Sequence, residues 1–312
     1  MNGGIGIIEM LKRTNILALV GGGKNPKFPI NQLIIWDDHQ RKIISKMRFN
    51  ENIISVRLRS DKILAVTRNK FYAFNLNTLI TIAIFDTFDN PLGIIATSNG
   101  DNDKLIVGFP YAAQGHVLLC DISQNCEKKG EIPAHNSRLA CISINKEGTI
   151  LATASDKGTL IRIFTINDNQ KITEFRRGSS NVEMNCIIFD PNNKFIGCSS
   201  NVGTIHIFSI AAITKALAEN NKETENGNDD EPKNSKSLLG KIGGLFNIKN
   251  PYLDSERSFA KFKIPEENSL MGFGSDNTFF VITMEGKYYK AAYPKKGGDC
   301  IKIDEKNILV DT

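Results

Sequence analysis

Two adjacent arginines stand in Phe175-Arg176-Arg177-Gly178, at the end of a run that otherwise reads as strand. Before them, Gly158-Thr159-Leu160-Ile161-Arg162-Ile163-Phe164 is apolar and β-branched, and the extended pattern resumes from Gln170 to Phe175 after a polar turn. Neighbours on a strand point to opposite faces, so one extended backbone cannot aim both guanidinium groups into one small pocket. It can aim them into two, one on each side of the strand. The plainer alternative is a solvated charge pair at a strand end.

The flanks favour a site. Ala154-Ser155-Asp156-Lys157-Gly158-Thr159-Leu160-Ile161-Arg162-Ile163-Phe164 repeats as Ser199-Ser200-Asn201-Val202-Gly203-Thr204-Ile205-His206-Ile207-Phe208, with the arginine pair between the copies. Each copy holds a Ser, a Thr and a basic residue at matching offsets: Ser155, Thr159 and Arg162, then Ser200, Thr204 and His206. Small hydroxyls with one cationic donor suit a phosphate, the hydroxyls orienting it and the cation supplying charge-assisted bonds.

These residues identify the resemblance. An F-R-R-G motif between two S-x-x-G-T repeats resembles the PROPPIN family, the WD-repeat-like phosphoinositide-binding propellers of the WIPI type. The resemblance implies a first headgroup pocket of Ser155, Thr159, Arg162 and Arg176, and a second of Arg177, Ser200, Thr204 and His206. It further implies a non-enzymatic effector of phosphatidylinositol 3-phosphate or 3,5-bisphosphate, acting in autophagy and endolysosomal traffic. The expected location is cytoplasmic, peripheral on phagophore, autophagosome, endosomal or vacuolar-type membranes, with a large lipid-transfer protein as partner. A WD-type scaffold that binds only proteins, its arginines meeting acidic peptides, is the alternative from another class.

A repeat sets the frame that must position these residues. Gly followed by a polar residue and an apolar β-run recurs at Gly115, Gly158, Gly203 and Gly286. The spacing is near the roughly 40–45 residues of a four-stranded propeller blade, the last interval carrying an insertion. With Gln32–Asp37 and Lys70–Asn75 this gives six units, at about 4–48, 49–88, 89–134, 135–178, 179–265 and 266–312. No helix-period segment separates them, so the expected class is all-β, a single propeller domain over 1–312. The resembled family has seven blades. The expectation is therefore a seven-bladed-type ring of which about six blades lie in this chain, the first largely missing.

The insertion, 213–254, falls within the unit spanning 179–265. Lys222 to Pro232 is polar and acidic, a composition that reads as disordered. Farther on, Leu238, Leu239, Ile242, Leu245 and Phe246 form the stripe of an amphipathic helix. Three glycines oppose that helix in water, so it is expected to form where its apolar face meets lipid. The alternative is a segment packed back on the propeller. The family's membrane-inserting loop at this position supports the lipid reading.

Composition excludes several classes. The 312 residues carry 39 Lys and Arg against 34 Asp and Glu, a net charge of +5 that argues for no nucleic acid partner. No apolar run approaches the roughly 20 residues needed to span a bilayer. Six cysteines (Cys120, Cys126, Cys141, Cys186, Cys198, Cys300) form no C-x-x-C pair and read as buried, reduced thiols, with neither zinc nor disulfides expected. Gly21-Gly22-Gly23-Lys24 lacks phosphate-loop spacing and reads as a turn between strands. Asp37-Asp38 reads as a blade turn, and His135 as a structural histidine. No catalytic constellation, metal site or cofactor motif is visible.

Overall fold

A computed structural model describes residues 3–59, 61–99, 104–215, 217 and 256–309. The amphipathic stripe of Leu238, Leu239, Ile242, Leu245 and Phe246, and the polar stretch before it, lie outside the described residues. The chain divides into two compact units, 1–136 and 137–312.

The first unit holds three antiparallel sheets. They are β1 (Ile5–Met10), β2 (Ile16–Gly21), β3 (Gln32–Asp37) and β4 (Lys42–Arg48); β5 (Ser55–Arg59), β6 (Lys62–Val66), β7 (Lys70–Asn75) and β8 (Thr81–Asp86); and β9 (Ala96–Thr97), β10 (Ile106–Pro110), β11 (His116–Asp121) and β12 (Glu127–Pro133). In each, the strands follow one another as an up-and-down meander. Burial explains their composition. The third strands β7 and β11 are buried on both faces and read as nearly continuous apolar runs. The outermost strand β4 alternates exposed and half-buried positions, the pattern of one covered and one wet face.

Sheets stack face to face. Leu64, Val66, Phe71 and Ala73 pack with Val107, Phe109, Leu118 and Cys120 in one cluster, and the Phe71 and Phe109 rings stack at 4.4 Å. The glycine run ends β2 with Gly21 and carries the chain into the loop before β3. Asp37 is buried at the end of β3, where its carboxylate accepts from Asn15 Nδ2 at 2.6 Å and the Gln40 amide at 3.0 Å. Those bonds hold its pKa below the usual carboxylate range, so this aspartate caps a turn.

The second unit repeats the plan. Its sheets comprise β13 (Leu139–Ile144), β14 (Ile150–Ser155), β15 (Leu160–Thr165) and β16 (Lys171–Arg176); β17 (Met184–Phe189), β18 (Phe195–Ser200) and β19 (Thr204–Ser209); and a third described below. After β19 the chain turns helical over 211–215, where Ile213 is buried in the core. It re-enters the described region at β20 (Glu256–Arg257), which adds in parallel to β16. β21 (Ala260–Lys263) then completes the β17–β19 sheet. The last sheet is β22 (Ser269–Phe273), β23 (Thr278–Thr283), β24 (Lys287–Ala292) and β26 (Ile301–Asn307), while the short β25 (Gly298–Asp299) adds to β21. The described residues thus form six sheets of four or five strands, one for each sequence unit.

One core cluster fixes the geometry that matters for function. Ile161, Ile163 and Phe175 pack against Ile187, Ile196, Cys198 and Phe208, with the Phe175 and Phe208 rings 5.0 Å apart. Phe175 is 1% exposed. Burying such a ring contributes about 1.5–3 kcal/mol and locks the strand that carries the arginines.

Candidate anion-binding site

Register sorts the predicted residues. Across β14, β15 and β16, Thr153 faces Arg162 and Arg162 faces Glu174, while Leu160 faces Arg176. Directly paired residues share a face, so Arg162, Glu174 and Arg176 lie on one side of the sheet. Ile161 and Phe175 lie on the other, in the core cluster. Arg177 lies just beyond the strand end, its guanidinium turned to the Gly158 and Ser180 carbonyls.

On the first side, the Arg162 guanidinium does not stand open. Its Nε lies 3.3 Å from Glu174 Oε2, and Lys171 Nζ lies 3.5 Å from the same oxygen. Glu174 was not foreseen as part of this site. Ser155 is buried at the end of β14 and Thr159 is half-buried in the turn that follows. That turn closes through a bond from the Gly158 amide to the Ser155 carbonyl at 2.9 Å. Gly158 has φ +61°, and a Cβ there would sit 2.2 Å from the Val182 carbonyl oxygen. Gly203, its counterpart in the second copy, would bring a Cβ within 2.1 Å of the Ile264 carbonyl. The glycine of each S-x-x-G-T copy is thus fixed by close backbone packing.

On the second side, Arg177 is clamped. Its Nε donates to the Gly158 carbonyl at 2.8 Å and its Nη2 to the Ser180 carbonyl, while its amide donates to the Thr159 carbonyl at 2.9 Å. Among the described residues it neutralises no carboxylate. His206, 5% exposed, shares a 2.9 Å hydrogen bond between Nδ1 and the Ser258 hydroxyl. Burial lowers its pKa to about 4, with smaller contributions from the charges of Arg177 and Lys261. Lys261 is its direct cross-strand partner. The ring is neutral at pH 7, ready to accept or donate one hydrogen bond.

Ser200 is buried, and its hydroxyl makes only long, 3.5 Å contacts, accepting from the Val202 amide and donating to the Val202 carbonyl. Thr204 is half-buried and faces Lys263 across β19 and β21, as His206 faces Lys261. Sequence reasoning missed Ser258, Lys261, Lys263 and Arg257. All follow the insertion, and Arg257 is the parallel partner of Arg176. Their one visible sequence signal is the basic alternation Lys261-Phe262-Lys263.

No group of three or more His, Cys, Asp or Glu side chains is placed to hold a metal ion among the described residues. No helix there is long and apolar enough to cross a membrane. His135 is buried, its amide donating to the Gly115 carbonyl at 3.1 Å. A cavity of about 540 Å³ in the first unit, lined by Glu51, Asn52, Ile54, Arg68, Asn69 and Pro91, includes none of the predicted site residues.

Known proteins resemble this chain. The PROPPIN family model matches residues 5–231. Autophagy-related protein 18e of Arabidopsis thaliana is 30% identical over 306 residues, covering 97% of this chain and 76% of its own. Autophagy-related protein 18 of Schizosaccharomyces pombe is 29% identical over 334 residues, covering 97% of this chain and 88% of its own. Among solved structures, Kluyveromyces lactis Hsv2 superposes with a TM-score of 0.71 at 19% identity, over 98% of this chain and 87% of that one. KlAtg21, solved in complex with the coiled-coil of AgAtg16, gives 0.72 at 22% identity, over 97% and 85%. At such identities these two likenesses speak to the fold alone, an all-β propeller.

Proposed function

This chain belongs to the PROPPIN family, and we propose that it is a non-enzymatic effector of phosphatidylinositol 3-phosphate or 3,5-bisphosphate at membranes of autophagy and endolysosomal traffic. The observation that carries the proposal is the cationic group of Arg177, Lys261 and Lys263 around Thr204 and neutral His206, in which Arg177 neutralises no carboxylate. A phosphate there gains charge-assisted hydrogen bonds, each contributing roughly 1.5–3 kcal/mol. Ser200 lies one turn away.

The first pocket is Ser155, Thr159, Arg162 and Arg176, with Arg257 alongside. Here a phosphate must compete with Glu174 for Arg162, so this pocket is the weaker. Two pockets on one propeller domain raise membrane avidity by roughly 10²–10⁴ over one. The inserted segment 213–254 supplies a third contact through Leu238, Leu239, Ile242, Leu245 and Phe246, entering the bilayer between the headgroups. A large lipid-transfer protein is the proposed protein partner.

Co-sedimentation with liposomes tests the reading. Binding should need the phosphoinositide, and neutral phosphatidylcholine vesicles should leave the protein in the supernatant. Equal recovery with and without phosphoinositide would favour a scaffold that binds only proteins.

A further inference from the structure

The hairpin of β11 and β12 brings together two cysteines that sequence spacing keeps apart. Asp121 pairs with Glu127 and Cys120 with Lys128, with a bulge after Leu119. Cys126 sits one residue before that pairing begins. Alternation puts it on the same face as Cys120 and Ile122. The packing agrees: Cys126 lies against the cluster that contains Cys120 and Ile122. The turn between them is pinned. The Ser123 amide donates to Asp121 Oδ1 at 3.0 Å, the Leu105 amide to the Ser123 hydroxyl at 2.8 Å, and the Ile122 amide to the Leu105 carbonyl at 2.9 Å.

The two sulfurs differ in setting. Cys120 is 0% exposed, whereas Cys126 is half-buried and open to small reagents. Lys128, across from Cys120, holds its ammonium 5.3 Å from the ring centres of both Phe85 and Tyr111. We infer that Cys120 and Cys126 form a peroxide-reactive dithiol, with Cys126 the attacking sulfur and Cys120 the resolving one.

Its chemistry follows from the placement. The neighbouring Cys120 thiol and the Lys128 ammonium lower the Cys126 pKa. Its neighbour Cys126 and burial raise the Cys120 pKa and keep that thiol protonated. The Cys126 thiolate attacks one oxygen of hydrogen peroxide. The O–O bond breaks, hydroxide leaves, and the sulfur is oxidised to sulfenic acid. Cys120 then attacks that sulfur, its thiol proton joins the departing hydroxyl as water, and the S–S bond forms. The other thiols lack this setting. Burial pushes Cys141 and Cys300 up to about 12 and Cys198 higher still.

The full chain should be treated with hydrogen peroxide, unfolded in N-ethylmaleimide, digested and read by mass spectrometry. A Cys120–Cys126 disulfide should form first, while Cys141, Cys186, Cys198 and Cys300 carry maleimide. Cys120→Ser should stop at a dimedone-reactive sulfenic acid on Cys126. Cys120→Ala, which removes the polar neighbour, should slow Cys126 alkylation at pH 7 roughly tenfold, whereas Cys120→Ser, which keeps one, should hold it near wild type. Melting curves report whether the variants fold, and the wild-type digest stands without them. Oxidation of Cys126 no faster than that of Cys186 or Cys300, or a lasting dimedone adduct on wild type with no disulfide, overturns the inference.

Discussion

His206 should make the protein acid-sensitive over a definable window. Its folded pKa of about 4 lies below its ordinary value of 6.5, chiefly through burial. Between these values the unfolded chain binds a proton that the folded one refuses. Stability is therefore full above about pH 6.5 and falls as pH drops toward 4. The loss attributable to this ring is about 2 kcal/mol from pH 7 to pH 5, and about 3 kcal/mol by pH 4. His206→Asn keeps a polar group near the Ser258 hydroxyl and removes the titration. Urea denaturation of both proteins at pH 7, 6 and 5, extrapolated linearly, cancels the contributions of every other group. The wild type should lose about 2 kcal/mol more than the variant between pH 7 and 5. Parallel pH profiles would refute the reasoning, because His206 would then titrate alike in both states. Soluble headgroup should raise the His206 pKa as its phosphate places a negative charge beside the ring, a shift readable by NMR.

Three further outcomes follow. Glu174→Gln frees Arg162 and Lys171 from their shared carboxylate; headgroup affinity should rise several-fold at low salt, while stability drops by about 0.2–1 kcal/mol, both measurable by titration calorimetry and denaturation. Gly158→Ala meets both a φ of +61° and the Val182 carbonyl, so urea denaturation should show a loss of at least about 1–2 kcal/mol. Leu245→Asp with Phe246→Asp should leave soluble-headgroup binding intact and cut liposome binding at least roughly tenfold, since each apolar side chain contributes about 1.5–3 kcal/mol in lipid; circular dichroism should show the helix of the wild type only when lipid is added.

Much of this was legible because strands alternate. Period-two patterning placed Arg162 and Arg176 on the face opposite Phe175, and the repeated S-x-x-G-T copies marked the turns around them. The six sheets follow the repeat for the same reason: a doubly buried third strand reads as an apolar run after Gly and a polar residue. Long-range register was not legible. Lys261 meets His206, and Arg257 meets Arg176, through strands that return after the insertion, and no local pattern states where such a strand will dock. Glu174 was missed differently. It lies two residues before Arg176 on the same face, so alternation alone could have paired it with Arg162. The cysteines show the same limit, since a spacing of six becomes a neighbouring pair only through one hairpin register.

The central claim is that the arginine pair serves two phosphate sites, one on each side of its strand. Calorimetric titration of the wild type, Arg177→Thr and the Arg176→Thr, Arg177→Thr double variant with soluble inositol 1,3-bisphosphate tests it most directly. The wild type should show two sites, the tighter one lost with Arg177, and a still-folded double variant should show no binding. A single site in the wild type, or a double variant that binds like it, would contradict the claim.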